Sequence, residues 1–286
     1  MVDPEPLSES DIKWLKSYSA EVEATYSQRF GDEGSRFQDG QRLVGRFTKA
    51  VAQVLKTDRT AFRAVNEAHN ELCIAYALLQ NSNPRFSSVC YEPQLDHCEK
   101  SIDFRADASE GVTVFIDVKT IKPKDIDRWE QYEKAQKEKW FPENVNVILS
   151  KERLGGELWH YKVASRSKML DYTVELEKKI SECRLSSEKT RFVLALCGDG
   201  FHWREDWLED FVEFYFTGRH RSNDALGKAE ARSLTEKGIT LSRSISLFAC
   251  MHRKPVYIDY DSLNWCVKAP PDPLLAVIAR RSNSSA

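Results

Sequence analysis

Several signatures are missing from this chain, and each absence removes a class of function. There is no Gly-x-x-x-x-Gly-Lys loop to cradle a nucleotide's phosphates and no Gly-x-Ser-x-Gly elbow. A nucleotide-driven motor and an α/β-hydrolase triad are therefore unsupported. No apolar stretch approaches the roughly 20 residues that span a bilayer. The first residues, Met1-Val2-Asp3-Pro4-Glu5-Pro6, lack the basic region and apolar run of a secretory signal. A soluble, cytoplasmic protein is the expectation. Charge of one sign is lacking too, with 42 Lys and Arg against 44 Asp and Glu. Any nucleic-acid contact must then come from local patches rather than a global basic field. The seven cysteines (Cys73, Cys90, Cys98, Cys183, Cys197, Cys250 and Cys266) are odd in number and contain no Cys-x-x-Cys pair. That pattern predicts buried free thiols in a reducing compartment. His97, His160, His202 and His252 show no metal-ligand spacing.

Apolar residue types make up 41% of the 286 residues, ample for a real core. Residues 1 to 58 read as an N-terminal helical segment. Ser8 or Ser10 caps a helix from about Asp11, and a second helix spans Arg42 to Leu55, with Leu43, Phe47 and Val51 at helical spacing. A third follows Thr60, its apolar stripe made by Phe62, Val65, Leu72, Tyr76 and Leu79, with His69 on it. On a neighbouring stripe lie Glu67, Glu71, Ile74 and Leu78, which places Glu71 at the edge of the buried face. A carboxylate there needs a cation, a donor or a raised pKa. A solvated flank is the equally weighted alternative for Glu71 and the better one for Glu67.

A strand over Ser87 to Glu92 precedes two alternating runs, Ser101-Ile102-Asp103-Phe104-Arg105 and Phe115-Ile116-Asp117-Val118-Lys119. Their β-branched and aromatic content predicts half-buried strands. With Ser109-Glu110-Gly111 as a three-residue loop, Ala108 faces Val112 and Asp103 falls opposite Asp117. Lys119 shares their face, while Ile102, Phe104, Val114, Ile116 and Val118 point to the other. Opposed carboxylates repel, and a divalent cation held between them would turn that repulsion into binding. An ammonium group beside them suits a substrate oxygen or an attacking water.

Further along, a charged helix is expected from about Lys124 to Trp140 and strands over Val145–Leu149 and Leu158–Val163. A long helix near Lys168 to Cys183 leads to a buried strand over Phe192–Cys197, an apolar helix marked by Trp207, Phe211 and Tyr215, and a late hairpin over Ser244–Cys250 and Val256–Tyr260. Residues 59 to 275 thus form the main α/β (α+β) domain with a mixed sheet, and 276 to 286 a polar, mobile tail.

A helix bearing Glu71, a strand with Asp103, a strand ending in Asp117-Val118-Lys119, then a helix and a strand, resembles the PD-(D/E)xK superfamily of restriction-endonuclease-like nucleases. The match covers about Thr60 to Leu149 and departs from the superfamily's name where Ile102 stands in place of proline. The resemblance implies a mixed central sheet flanked by helices and a Mg²⁺ or Mn²⁺ site made by Asp103, Asp117 and the main chain of Val118. It makes Lys119 the catalytic lysine and Glu71 an accessory acid. Gln131, with Tyr132, resembles the glutamine–tyrosine pair of the RecB-like branch. Lys122 opens a cationic run through Lys139 that suits phosphates, or equally an ordinary helix surface, because Glu130, Glu133 and Glu138 interleave with it. The implied function is metal-dependent hydrolysis of phosphodiesters, most readily in DNA, in restriction, phage defence or repair and with protein partners. A silent nuclease-like scaffold that binds nucleic acid or a protein is the alternative.

Overall fold

The computed structural model describes residues 7–56, 62–81, 85–95, 98–108, 111–121, 156–198, 205–219, 225–252, 258–259 and 262–265. Helix α1 (Glu9–Glu33) starts where Ser8 and Asp11 form a capping box: the Asp11 amide donates to Ser8 Oγ at 3.1 Å and the Ser8 amide to Asp11 Oδ2 at 3.2 Å. Its buried residues, Leu15, Tyr18, Val22, Tyr26 and Phe30, recur every three or four positions. Gly34 ends it with φ of 54°. A two-residue strand, β1 (Phe37–Gln38), leads into α2 (Gly40–Leu55), which starts two residues earlier than its apolar periodicity suggests. Gly40 is required there, since a Cβ at this position would lie 2.5 Å from the Phe37 ring. Helix α3 (Phe62–Gln80) is buried around most of its C-terminal half, so both of its stripes face protein.

Strands β2 (Phe86–Tyr91), β3 (Phe104–Ala108) and β4 (Thr113–Thr120) follow as an antiparallel meander. Helix α4 (Gly156–Glu182) then crosses over to β5 (Thr190–Gly198), which pairs parallel with β4 from Thr113↔Thr190 to Thr120↔Cys197. Such a parallel pair needs a long crossover connection, and a helix supplies it. After α5 (Glu205–Thr217) and α6 (Ala225–Glu236) come β6 (Leu247–His252), parallel to β5, and β7 (Ser262–Trp265), antiparallel to β6. Among the described residues, seven strands lie in chain order in one mixed sheet: six longer strands and the two-residue β1 at its edge.

Two cores sandwich this sheet. On one face Phe104, Ala106, Val114, Ile116 and Val118 pack with the buried residues of α1, α2 and α3. On the other, Phe115, Phe192, Leu194 and Phe248 pack with Met169 and Leu176 of α4 and Phe211 and Tyr215 of α5. Burying each such side chain contributes about 1.5–3 kcal/mol. The central strands are therefore covered on both sides, and β5 reads as the continuous apolar run such strands need.

The expected hairpin register is present: Phe104 pairs with Ile116 and Asp107 with Thr113. The Ala108 amide donates to the Val112 carbonyl at 2.8 Å, and Gly111 has the positive φ, 73°, that a three-residue loop requires.

Other expectations need correction. Ile102 belongs to the core around Phe115, not to the Phe104 face, because residues 101–103 precede β3 and do not alternate as a strand. β4 is buried on both faces rather than half-buried. Leu158 to Val163 are helical, absorbed into the 27-residue α4 despite their β-forming composition. The second strand of the late hairpin lies at 262–265. Two cysteines expected as thiols, Cys98 and Cys183, form a disulfide across 85 residues, with Cα atoms 5.2 Å apart. The helix expected at 124–140, the strand at 145–149, His97, Lys122, Gln131, Tyr132 and the tail fall outside the described residues. None of the described helices is long and apolar enough to cross a membrane.

Candidate metal centre

Asp103 stands one residue before β3. Its carbonyl accepts from the Glu92 amide at 2.7 Å, which ties the approach of β3 to the end of β2. Its Oδ2 accepts from the Val118 amide at 2.6 Å, so the carboxylate leans across the hairpin onto β4. Asp117, fully buried in β4, faces α4. Lys179 Nζ of that helix donates to Asp117 Oδ1 at 3.0 Å. Lys119 Nζ lies 3.2 Å from Asp117 Oδ2, which nonetheless accepts no hydrogen bond. Glu175, one helical turn before Lys179, closes the set, with its Oε1 3.1 Å from Lys119 Nζ and 3.4 Å from Lys179 Nζ. Tyr172 lies one turn earlier still, its ring centroid 5.8 Å from Lys119 Nζ.

Glu71 is buried on α3, deeper than the edge position its stripe implies. It meets Arg46 of α2 and accepts from Tyr91 Oη at 3.0 Å. Neither partner was apparent in the sequence. The structure therefore brings Asp103, Asp117, the Val118 main chain and Lys119 together. It holds Glu71 apart on α3, tied to Arg46 and Tyr91 but within electrostatic reach of Asp103. Among the described residues no group of three or more His, Cys, Asp or Glu side chains is arranged to hold a metal ion.

Burial raises the Asp103 carboxyl to about 7, helped by the charge of Asp117 and opposed by the Val118 amide, Lys119 and Lys179. Burial also raises Glu71, to about 8, with the Asp103 charge adding to it and Arg46 and Tyr91 opposing. Desolvation pulls Lys119 down, but Asp117 and Glu175 outweigh it and hold the ammonium above its ordinary value. Glu175 is lowered: burial pushes it up, and the lysine charges more than offset that.

A hard divalent cation fits this donor set in one form. Mg²⁺ is commonly held by one or two carboxylates and keeps several waters, so Asp103 and Asp117 can suffice without a closed cage. The buried Asp117 Oδ2, with no hydrogen-bond donor, is the atom such an ion would satisfy.

Comparison with known proteins returns no relative: no family model, no curated protein and no solved structure matches the chain.

The residues that sequence reasoning missed have a common origin. Glu175 and Lys179 look like an ordinary i,i+4 pair on a charged helix. Only the packing of α4 over β4 turns them toward Asp117.

Proposed function

We propose that the chain is a Mg²⁺- or Mn²⁺-dependent nuclease of the PD-(D/E)xK type, hydrolysing phosphodiesters, most readily in DNA. One observation carries the reading: Asp103, next to the Phe104↔Ile116 pair that ends the β3–β4 ladder, bonds the Val118 amide through its carboxylate, which sets it beside Asp117, with Lys119 Nζ 3.2 Å from Asp117 Oδ2. The order of α3, three antiparallel strands, a crossover helix and a parallel strand supports it. The two aspartates would hold the ion, and the Val118 amide orients the Asp103 carboxylate. When bound, the ion would supply a Lewis acid and a water of lowered pKa. Lys119, partly exposed on β4 beside Asp117, would hold the attacking water or a phosphoryl oxygen. Glu71, whose carboxyl the Asp103 charge helps to raise, would stand by as an accessory acid.

The second reading, a silent scaffold that binds nucleic acid or a protein partner, is favoured by the two ammonium groups already beside Asp117. A buried carboxylate so neutralised needs no metal.

Single- and double-stranded DNA and RNA, incubated with the protein and Mg²⁺ or Mn²⁺, separate the two. The nuclease cuts at least one substrate, and Asp117→Ala and Lys119→Ala each abolish cutting. Intact substrates throughout, or undiminished cutting in either variant, reject it.

A further inference from the structure

We infer that the outer face of α2 is a nucleic-acid contact surface: a stripe of Arg42, Arg46, Lys49 and, at the helix end, Lys56 that takes the phosphates of a DNA backbone, with Gly45 as its point of close approach. It rests on the nucleic-acid part of the proposed function and needs no metal.

Spacing makes the stripe. At 3.6 residues per turn these four positions, with Gln53, fall within an arc of roughly 80° along about 21 Å of helix. One strand of a DNA duplex presents about six phosphates over that length. No Asp or Glu occurs between Gly40 and Lys56, so the helix itself carries nothing to offset these charges.

The two ends of the stripe differ. Arg42 and Arg46 are tied to the end of β2: Arg42 Nη2 donates to the Tyr91 carbonyl at 2.9 Å, and Arg46 Nη1 donates to Tyr91 Oη at 2.8 Å and meets Glu71. Glu92 and Asp39 lie 3.4 and 3.8 Å from Arg42. Because the Glu92 amide holds the Asp103 carbonyl, the stripe starts beside the candidate centre. Lys49 and Lys56 are exposed and form no ion pair among the described residues. They are the charges left for a partner, and pairing them with phosphates releases counterions.

Gly45 supports the same use of this face. It is exposed in the helix interior, three residues after Arg42 and four before Lys49, and a Cβ there would meet nothing within 4 Å. Its φ is not positive. Neither packing nor a turn calls for glycine, which weakens a helix interior relative to alanine. Bare backbone between cations lets a ligand's own backbone come close.

An anionic membrane is the other polyanion to weigh. A helix binds a bilayer by inserting its apolar face, but Leu43, Val44, Phe47, Val51 and Val54 of α2 are already buried in the core. Only the polar face is on offer, and phosphates suit it.

Fluorescence anisotropy of a labelled, mixed-sequence DNA duplex, read in EDTA across a NaCl series, tests this on the full chain. Lys49→Gln with Lys56→Gln is compared with Arg232→Gln with Lys237→Gln, an equal charge loss at exposed positions on and just after α6, which packs on the other face of the sheet. Wild type should bind with a steep salt dependence. The stripe pair should lower the slope of log K against log salt by about 1.8, at about 0.9 per lost phosphate contact, and the control pair should leave it unchanged. Gly45→Ala should melt above wild type yet bind DNA several-fold more weakly. An unchanged slope in the stripe pair, an equal fall in both pairs, or full DNA affinity in Gly45→Ala overturns the inference while nucleic-acid binding itself stands. Wild type that binds no DNA overturns it too; cutting of DNA with Mg²⁺ would then show that the nuclease reading survives without the stripe. Binding to phosphatidylserine vesicles but not to DNA gives the stripe to membranes and likewise overturns it.

Discussion

Replacing Asp117 with asparagine keeps the side chain's shape and removes its charge, which sets two effects against each other in the metal-free protein. Lost are the ion pairs to Lys179 at 3.0 Å and Lys119 at 3.2 Å. Breaking a fully buried pair costs about 3–5 kcal/mol, but both lysines here are partly exposed and keep Glu175, so about 2 kcal/mol in total is the appropriate scale. Gained is relief from repulsion of Asp103, which depends on whether Asp103 is charged. Its carboxyl is raised to about 7, by burial first and the Asp117 charge second. The folded protein therefore keeps that proton to higher pH than the unfolded chain. Stability from the shift is whole below the ordinary value of 3.8 and is lost as pH rises through about 7. Asparagine at 117 shrinks the shift, so the variant loses less stability than wild type over that window. At pH 6 the ion-pair loss dominates, and the variant should melt about 4–8 °C below wild type. At pH 8.5 the gap should narrow as relief of repulsion grows. Thermal unfolding in EDTA at the two pH values is the assay. A variant more stable than wild type at pH 6, or a gap that widens with pH, would refute the electrostatic picture of Asp117.

Two further outcomes test parts of the fold that frame the site. Glu177 is buried and accepts from Tyr215 Oη at 2.6 Å and from the Ser242 and Arg243 amides at 2.8 and 2.6 Å. Glu177→Gln leaves one acceptor oxygen for three donors and should cost about 1–3 kcal/mol in urea denaturation; a loss below about 0.5 kcal/mol would deny that this carboxylate ties α4 to the segment before β6. Cys98→Ser with Cys183→Ser opens a loop of 85 residues and should destabilise by up to about 4 kcal/mol. Dithiothreitol should reproduce that loss in wild type, and an unchanged urea midpoint on reduction would show that no bridge forms.

What the sequence revealed of the site was local. A three-residue hairpin loop allows few registers, so counting outward from Gly111 predicted the strand pairing, and the observed register agrees from Asp107↔Thr113 to Phe104↔Ile116; Asp103 lies one residue beyond it, outside the ladder. The third helix, its buried stripe and Glu71 were legible from 3.6-residue periodicity, although both flanks of that helix prove buried. The hidden part depends on contacts remote in sequence. Lys179 is 62 residues from Asp117, and Cys183 is 85 from Cys98. Neither distance leaves a periodic trace. The run Leu158 to Val163 failed for another reason: aromatic and β-branched residues favour a strand, but propensity yields where a long helix continues through them.

β4 is hydrogen-bonded along both edges, antiparallel to β3 and parallel to β5, with a core on each face. Backbone amides in such a strand exchange with solvent only when the domain opens as a whole. Asp117 is thus anchored in a part of the molecule that cannot breathe on its own. Any rearrangement around its carboxylate falls to side-chain torsions of the two lysines and to the surrounding helices. A carboxylate held this way keeps its position, and a fault around it would show as misplaced charge before it showed as local unfolding.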